Sequence, residues 1–458
     1  MKRIVILGNS VAGVKAIEEI RSADASSEIT LITFEAYYPY NREAFPSLIA
    51  REILGDQVLY KPKKFYDTHR VNVLRDKKIS KINLRKNKIF TEEKECVDFD
   101  DLLLTDLPVH KFPDIKGTHK SGVFGMKRLN DINRILEVLP LIDAVVIQSD
   151  EFIGLQMAAA LVKRGKEVIL ILSENNLIES LLESGTARWL FADLEAKGMR
   201  ILRENAIAEI LGEGDVKAVR LRSGKVIATQ MVIFGQTCPD FRILAESDLR
   251  IQQRICVDAK FQTSLPHVFA VDQVCEREDS LKRLAFTQGQ GMEGDSGLKM
   301  FYQDMSHFAF QEADGKSVGA AINGQDIKWE WPIPVSSLNF GDLSVTILGA
   351  LKTNQIMERN QLSLEKGRQY KNIWFHQDFL VGGIFINTNQ EINKFAGLMK
   401  DKISLKGLEQ YVMDENVDYQ GVVQEIDKRT AFAGIGDREN GDGMPDMGHV
   451  INQSTHEA

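Results

Sequence analysis

Three small residues near the N-terminus have the spacing of a dinucleotide-binding turn. Gly8, Ser10 and Gly13 lie in "GNSVAG", directly after the apolar run "RIVIL". Gly8 permits the tight turn, Ser10 lets the backbone approach a phosphate, and Gly13 allows a helix to pack closely on the strand. That helix begins with Val11 and Ala12, whose free N–H groups and positive dipole end would face a pyrophosphate. We therefore predict that these five residues contact a nucleotide cofactor.

An acid stands where this kind of site needs one. After the turn, "VKAIEEIRSA" has helical apolar spacing and "EITLITFE" is a β-rich strand that ends at Glu35. A carboxylate at the end of the second strand accepts hydrogen bonds from an adenosine ribose. Strand, turn, helix, second strand and acid together predict a Rossmann-type unit, although a βαβ unit without a nucleotide remains the alternative.

A second strand–turn–helix–strand pattern, "AVVIQSDEFIGLQMAAALVKRGKEVILIL", lacks the expected glycines. Counting back from Gly154, Ser149 and Glu151 occupy the glycine positions, with Asp150 between them. Two carboxylates oppose a pyrophosphate, because like charges about 4 Å apart cost about 4 kcal/mol at an effective dielectric constant near 20. Leu172 stands at the strand end where an acid selecting NADH is common. We expect this unit to fold as a dinucleotide domain but to hold no dinucleotide, a degenerate NAD-binding site.

Composition excludes several classes of protein. The 458 residues are 43% hydrophobic and 27% charged, as in ordinary globular proteins. A formal net charge of −8 gives no general attraction to nucleic acid or to an anionic membrane. The N-terminal apolar run is too short for a signal peptide, so we expect a cytoplasmic protein. Scattered histidines and unpaired cysteine spacing support neither a metal site nor a redox dithiol; the cysteines are Cys96, Cys238, Cys256 and Cys275.

The order of patterns along the chain predicts an α/β protein of several domains. Two Rossmann-like units come first, a strand-rich α+β segment follows, and the end of the chain is polar and glycine-rich. We predict a discontinuous first dinucleotide-binding domain (residues 1–106 with 250–314) and a second dinucleotide-type domain without ligand (107–249). A C-terminal α+β domain (315–424) and a polar tail (425–458) follow.

The stretch "IVILGNSVAGVKAIEEIR…SEITLITFEAYYPYNR" resembles the FAD-dependent pyridine nucleotide–disulfide oxidoreductase superfamily. The branch with rubredoxin reductases and the flavin module of NADH-dependent nitrite reductases is the most similar. The similarity covers about residues 1–310 and, more weakly, 320–410. It implies two glutathione-reductase-type domains that bind FAD and NAD(P)H. It also implies that Glu35 binds the adenosine ribose and that Arg42 lies near the flavin.

Other family motifs are altered. "LLLTDLP" replaces a segment that usually contains A-T-G. "YNREAFPS" stands where disulfide reductases carry their redox cysteines, which argues against disulfide reduction by this chain. In "VFAVDQV", Asp272 takes a glycine position and Gln273 takes the position of an aspartate that binds the ribityl–phosphate part of FAD. Gln288, in "FTQGQG", matches a helix start near the flavin. FAD binding is therefore expected, with no catalytic residue from the chain itself.

These observations predict an electron-transfer flavoprotein subunit. Its FAD would exchange electrons with a redox partner protein, such as an iron–sulfur or metalloenzyme subunit, without a competent NAD(P)H site. Two alternatives stay open: an NAD(P)H-dependent FAD oxidoreductase with an unusual turn, and a non-redox scaffold derived from the same fold. The sequence leaves the electron donor, the acceptor and the oligomeric state open.

Overall fold

A computed structural model of the chain describes residues 1–107, 110–174, 176, 178–179, 182, 184–235, 238–277, 308–325, 333, 335–340, 342–349, 361–366, 369–376, 378–388, 392–401, 403–408, 421–422 and 424–425. The α-helices are α1 (Val11–Ala23), α2 (Phe45–Ile49), α3 (Lys63–Thr68), α4 (Leu129–Val138), α5 (Phe152–Lys163), α6 (Ser184–Ala196), α7 (Phe308–Ile322) and α8 (Ile392–Lys400). The strands are β1 (Arg3–Leu7), β2 (Glu28–Ile32), β3 (Val71–Leu74), β4 (Ile79–Asn83), β5 (Lys88–Thr91), β6 (Cys96–Asp98), β7 (Asp101–Leu104), β8 (His110–Lys111), β9 (Val123–Gly125), β10 (Ala144–Gln148), β11 (Glu167–Ile171), β12 (Arg200–Leu202), β13 (Ile207–Leu211), β14 (Ala218–Leu221), β15 (Val226–Ala228), β16 (Met231–Phe234), β17 (Cys238–Pro239), β18 (Ile255–Val257), β19 (Val268–Ala270), β20 (Cys275–Arg277), β21 (Val335–Asn339), β22 (Ser344–Gly349), β23 (Gln361–Lys366), β24 (Gln369–His376) and β25 (Phe379–Ile386).

The first parallel sheet has the strand order β19-β7-β1-β2-β3. Its central strands are continuous apolar runs because both faces of a parallel sheet are covered. Ile6 and Leu7 of β1 and Leu102 of β7, for example, are fully buried. The βαβ pattern predicted from the N-terminal sequence is therefore confirmed as β1, α1 and β2.

The second parallel sheet has the order β12-β11-β10-β16-β9, and it repeats the pattern with β10, α5 and β11. Small antiparallel sheets accompany the two parallel ones: β4-β5-β6 follows β3, and β13-β14-β15 follows β12. The predicted α/β class with two Rossmann-like units is confirmed by this pair of sheets.

The C-terminal part is a five-stranded antiparallel sheet in the order β21-β22-β25-β24-β23. Helix α8 packs on it through Phe395, whose ring centroid lies 5.0 Å from that of Phe385 on β25. This confirms the smaller α+β domain that the strand-rich segment predicted.

Helix α7 packs along α1 of the first unit at very short range. A Cβ at Gly315 would lie 2.9 Å from Ala12 Cα, and one at Gly319 would lie 2.8 Å from the Ala16 carbonyl oxygen. Real Cβ contacts do not reach such distances, so the two helices need glycine at both positions. The domain boundary predicted between residues 314 and 315 falls inside this helix.

One hydrophobic core joins the second parallel sheet to its neighbours on both sides. Its members include Phe45 of α2, Leu155 of α5 and Ile347 of β22. An ion pair between Lys197 and Asp342 adds a polar link, and Lys197 Nζ also donates to the Phe340 carbonyl oxygen at 3.4 Å. Within the described part of the chain, none of the helices has the length and apolar character needed to cross a membrane.

Candidate functional site

Four neighbouring strands of the first sheet end in a row of polar residues. Because β19, β7, β1 and β2 are parallel, their carboxyl ends meet at one edge. Asp272 follows β19, Asp106 follows β7, Asn9 and Ser10 follow β1, and Glu35 follows β2. Ligands of open parallel sheets bind in the crevice outside this edge, so the row marks the candidate cofactor site.

The turn after β1 has the geometry of a phosphate-binding turn. Gly8 has φ +125°, a conformation that side chains rarely adopt, and a Cβ there would lie 2.6 Å from the backbone nitrogen of Asp106. Thr105 Oγ1 donates to the Leu7 carbonyl oxygen at 3.1 Å and so fixes the neighbouring strand end against the turn. Ser10 caps α1, its Oγ accepting from the Gly13 N–H at 3.2 Å.

Free polar groups remain at the start of α1. The N–H groups of its first residues, Val11 and Ala12, have no acceptor within the helix, as at every helix N-terminus. Asn9 is 2% exposed, and its Oδ1 has no hydrogen-bond partner among the described residues. Gly13 faces the strand closely, with its hypothetical Cβ 3.1 Å from Ile6 Cγ2. A buried unpaired oxygen beside free N–H groups is what a bound ligand would satisfy.

Glu35 lies at the expected strand end and also caps a distant helix. Its Oε1 accepts from the Asn130 N–H at 2.8 Å, and its Oε2 accepts from the Tyr40 hydroxyl. Tyr40 in turn accepts from the Leu129 N–H at 3.2 Å, so both residues bind the start of α4. Burial raises the pKa of Glu35, although these donors oppose the shift. A carboxylate oxygen has the capacity to accept two hydrogen bonds, so Glu35 can bind a ribose hydroxyl in addition to these donors.

Arg42 forms an ion pair with one acid of this edge, Asp106, and is influenced by the charge of another, Asp272. Its guanidinium donates to Asp106 Oδ2 at 3.1 Å, and Asp106 Oδ1 accepts from the Leu107 N–H at 2.8 Å. Burial acts to lower the pKa of Arg42, but the negative charges of Asp106 and Asp272 help to raise it overall. The cation that we placed near the flavin is thus held by carboxylates of the chain itself.

Asp272 occupies the position of a family glycine and keeps a glycine-like backbone, with φ +68°. Aspartate tolerates this left-handed region better than most residues. Its Oδ2 accepts from Gln311 Nε2 at 3.2 Å. The next residue, Gln273, accepts from Arg254 Nη1 at 2.8 Å through its carbonyl oxygen. Gln288 lies outside the described residues, so its predicted role stays a prediction.

The turn of the second unit is filled by its own serine. A Cβ at Gly235 would lie 2.5 Å from Ser149 Cβ, and one at Gly154 would be closer still. The Ser149 hydroxyl accepts from the Glu151 N–H at 3.3 Å. Ser149 therefore packs into the space between the helix and the neighbouring strand, where this kind of turn normally has no side chain.

The two acids of this turn are bonded within the protein. Asp150 accepts from the Ser173 N–H at 2.7 Å and from its hydroxyl at 2.8 Å, and Glu151 pairs with Lys127 at 3.3 Å. Asp150 and Glu151 are 8% and 7% exposed. Ser173 lies two residues after the end of β11, near the place that an adenosine ribose takes in such domains. The hydrogen bonds between Asp150 and Ser173 thus lie at the position where a ribose would bind.

Two Rossmann-like units, one with an open phosphate turn, and a C-terminal antiparallel sheet define a class of flavoprotein oxidoreductases with paired dinucleotide folds. Residues 2–291 match the model of the pyridine nucleotide-disulphide oxidoreductase family, and residues 334–403 match the rubredoxin NAD+ reductase C-terminal domain. The chain belongs to the pyridine nucleotide-disulphide oxidoreductase family, in the branch that the sequence resembled.

Several relatives are similar over large parts of the chain. The assimilatory nitrate reductase electron transfer subunit of Bacillus subtilis is 22% identical over 406 residues, which cover 88% of this chain and 50% of that protein. The nitrite reductase [NAD(P)H] of the same species is 27% identical over 281 residues, covering 60% and 34%. The rubredoxin-NAD(+) reductase of Ectopseudomonas oleovorans is 24% identical over 271 residues, covering 58% and 70%. The chain thus spans about half or less of the Bacillus subtilis relatives.

The fold has solved counterparts. The crystal structure of the covalent putidaredoxin reductase–putidaredoxin complex aligns with a TM-score of 0.75 at 16% identity, covering 93% of this chain and 98% of that one. The NADH:rubredoxin oxidoreductase from Clostridium acetobutylicum aligns with a TM-score of 0.65 at 18% identity, covering 88% and 95%. These alignments show the shared fold.

FAD is the cofactor of this family, and the first site fits it. The glycine turn and the start of α1 suit a pyrophosphate, while buried oxygens of Asn9 and Asp272 lack partners among the described residues. Sequence reasoning missed Asn9 and Tyr40 at this site, and it missed Lys127 at the turn of the second unit. Tyr40 had a signal in the quoted "YNR" motif, but no local pattern foretells its contact with α4. Within the described residues, no group of three or more acidic, histidine or cysteine side chains could hold a metal ion.

Proposed function

We propose that this chain is an electron-transfer subunit that passes electrons between its flavin and a redox partner protein without binding NAD(P)H itself. The observation that carries the proposal is the closed turn of the second unit. Asp150 bridges to Ser173, Glu151 pairs with Lys127, and Ser149 fills the space beside Gly154. A dinucleotide would have to break the bridge and the ion pair, and its phosphates would then meet two carboxylates.

The first unit supplies the binding and the electrostatics. The start of α1 with Gly8, Ser10 and Gly13 would hold the pyrophosphate, and Glu35 would hold the ribose. Arg42 and the acids beside it would surround the other half of the cofactor. When bound, FAD supplies a ring that accepts and releases electrons, so the chain itself needs no acid or base for the reaction.

The partner is proposed from the chemistry of the relatives. One relative is named an electron transfer subunit, and others are named as reductases of rubredoxin or occur in a complex with putidaredoxin. We propose an iron–sulfur protein or metalloenzyme subunit as the partner of this chain, in the cytoplasm. The four-part domain division and the individual FAD contacts predicted from the sequence belong to the same proposal.

An NAD(P)H-dependent reductase is the second candidate. It is favoured by the relatives whose names include NAD(+) or NAD(P)H, and by the second unit, whose strands and helix keep the dinucleotide-domain arrangement. In this case the Asp150–Ser173 bridge would open as the cofactor enters. A third candidate, a scaffold without redox function, is opposed by the open phosphate turn of the first unit.

Anaerobic reduction separates the three candidates. We expect the purified protein to show visible flavin absorbance that NADH and NADPH leave unchanged and that dithionite bleaches. The reduced protein should then reduce a ferredoxin-type iron–sulfur protein. Rapid bleaching by either pyridine nucleotide would establish the second candidate instead. Protein without flavin that takes up no added FAD would support the scaffold.

A further inference from the structure

The carboxyl group of Asp272 presents one buried oxygen without a donor. Its Oδ2 accepts from Gln311 Nε2, but its Oδ1 has no hydrogen-bond partner among the described residues. An ionised carboxylate accepts hydrogen bonds through both oxygens, whereas a protonated one has an O–H that donates. A buried charged oxygen without a donor is unfavourable, so this environment favours the protonated form.

The charges around Asp272 come from two other elements. Arg42, on the loop after β2, attracts a negative charge, but it is already paired with Asp106, on the loop after β7. Asp106 itself disfavours a second negative charge nearby. Burial raises the pKa of Asp272, and it outweighs the Gln311 hydrogen bond to Oδ2 and the nearby Gln273 N–H dipole, which both favour ionisation.

The strand order places Asp272 on the side of the cleft away from the adenosine. The ribose acid Glu35 follows β2, and the pyrophosphate turn follows β1. The sheet continues from β1 to β7 and β19, where Asp106 and Asp272 stand. A dinucleotide that runs along this edge therefore has its second half, the flavin half of FAD, on the side of Asp272.

We propose that Asp272 binds the flavin half of FAD as a neutral carboxylic acid, whose Oδ1–H group donates a hydrogen bond to the cofactor. The left-handed backbone at this position and the Gln311 hydrogen bond hold the carboxyl group in place. Ionisation removes the donor and adds a negative charge beside Asp106. FAD binding is then linked to one proton on Asp272, whichever route the electrons take.

The test compares two neutral replacements in the apoprotein. FAD affinity is measured by flavin fluorescence from about pH 6 to about pH 9 for the wild type, Asp272→Asn and Asp272→Ala. One linked proton makes the wild-type affinity fall about tenfold per pH unit above the pKa of Asp272. Asp272→Asn keeps a donor and suits the left-handed backbone, so it should bind FAD without this pH dependence. Asp272→Ala should bind about fivefold more weakly than Asp272→Asn at low pH.

A flat wild-type profile, or a slope that persists in Asp272→Asn, would overturn the proposal. Equal FAD affinities of Asp272→Ala and Asp272→Asn would also overturn it. Charge repulsion by the ionised carboxylate would then explain the pH dependence without a hydrogen bond donated by Asp272. Asp106→Asn is the second variant: it leaves the acid in place, so the slope should remain but begin at a lower pH. Loss of the pH dependence in Asp106→Asn would also overturn the proposal. None of these results depends on NADH oxidation.

Discussion

Replacing Asp150 by alanine should destabilise the second unit, because this acid acts as a bridge. Its carboxylate accepts two hydrogen bonds from Ser173 and is 8% exposed. A hydrogen bond to a charged group contributes about 1.5–3 kcal/mol. The freed Ser173 hydroxyl is half-buried and will partly find water, so we expect a net loss of about 2 kcal/mol, about one strong bond. Repulsion with Glu151, which the substitution relieves, works in the opposite direction.

Urea unfolding of the holoprotein measures the free energy, and hydrogen exchange localises it. The Ser173 amide should exchange up to about thirtyfold faster in Asp150→Ala, which corresponds to about 2 kcal/mol. The exposed acid Glu213 lies in the same unit, so Glu213→Ala removes the same charge and should change neither measurement. If Asp150→Ala were neutral or stabilising, the carboxylate would not stabilise the turn. The hydrogen bonds to Ser173 would then not explain why the turn is closed.

Three further predictions concern the first unit. Tyr40→Phe should lower the free energy of unfolding by about 1 kcal/mol, because it loses hydrogen bonds to Glu35 and to α4. It should also weaken FAD binding several-fold, because we propose that Glu35 binds the ribose; calorimetry and fluorescence titration measure the two effects. Gly315→Ala should push α7 from α1 and lower the melting temperature, whereas Gly214→Ala, which meets open space, should not. Hydrogen bonds from Arg3 lower the pKa of Asp100 from 3.8 to about 2, so its stabilising contribution is present above pH 3.8 and is lost as the pH falls toward 2. Asp100→Asn should therefore be destabilising at neutral pH and nearly equal to wild type near pH 2, where equal differences at both pH values would contradict the assignment.

Local sequence was sufficient for the elements that carry the site. The run "RIVIL" forms β1, and the helix and strand after it follow from apolar periodicity, because neighbours along the chain decide these elements. The second unit was predictable for the same reason. The turn after β10 was also correctly identified as different from the first, since residue type alone shows the carboxylates.

Contacts between distant residues lay beyond this kind of reasoning. Asp106 was seen as a departure from a motif, but its partner Arg42 stands 64 residues earlier, on another strand's loop. Likewise, Glu35 was assigned to a ribose, and its hydrogen bond to the start of α4 depends on how the two units pack. The sequence showed two acids in the second turn as a source of repulsion. The fold shows that Ser173 donates two hydrogen bonds to Asp150 and that Lys127 forms an ion pair with Glu151.

The hydrophobic core that joins α2, α5 and β22 gives the second unit a structural role that is independent of any ligand. The inward-facing residues of its strands and helix support both neighbouring domains, so changing them weakens the whole protein. The turn residues 149–151 are not part of that core, and they contribute through local contacts such as the Asp150–Ser173 hydrogen bonds. Substitutions in the turn therefore act on what the domain can bind, while the packing between the domains depends on other residues. The inner surface of the domain is therefore needed by its neighbours whether or not its turn holds a dinucleotide.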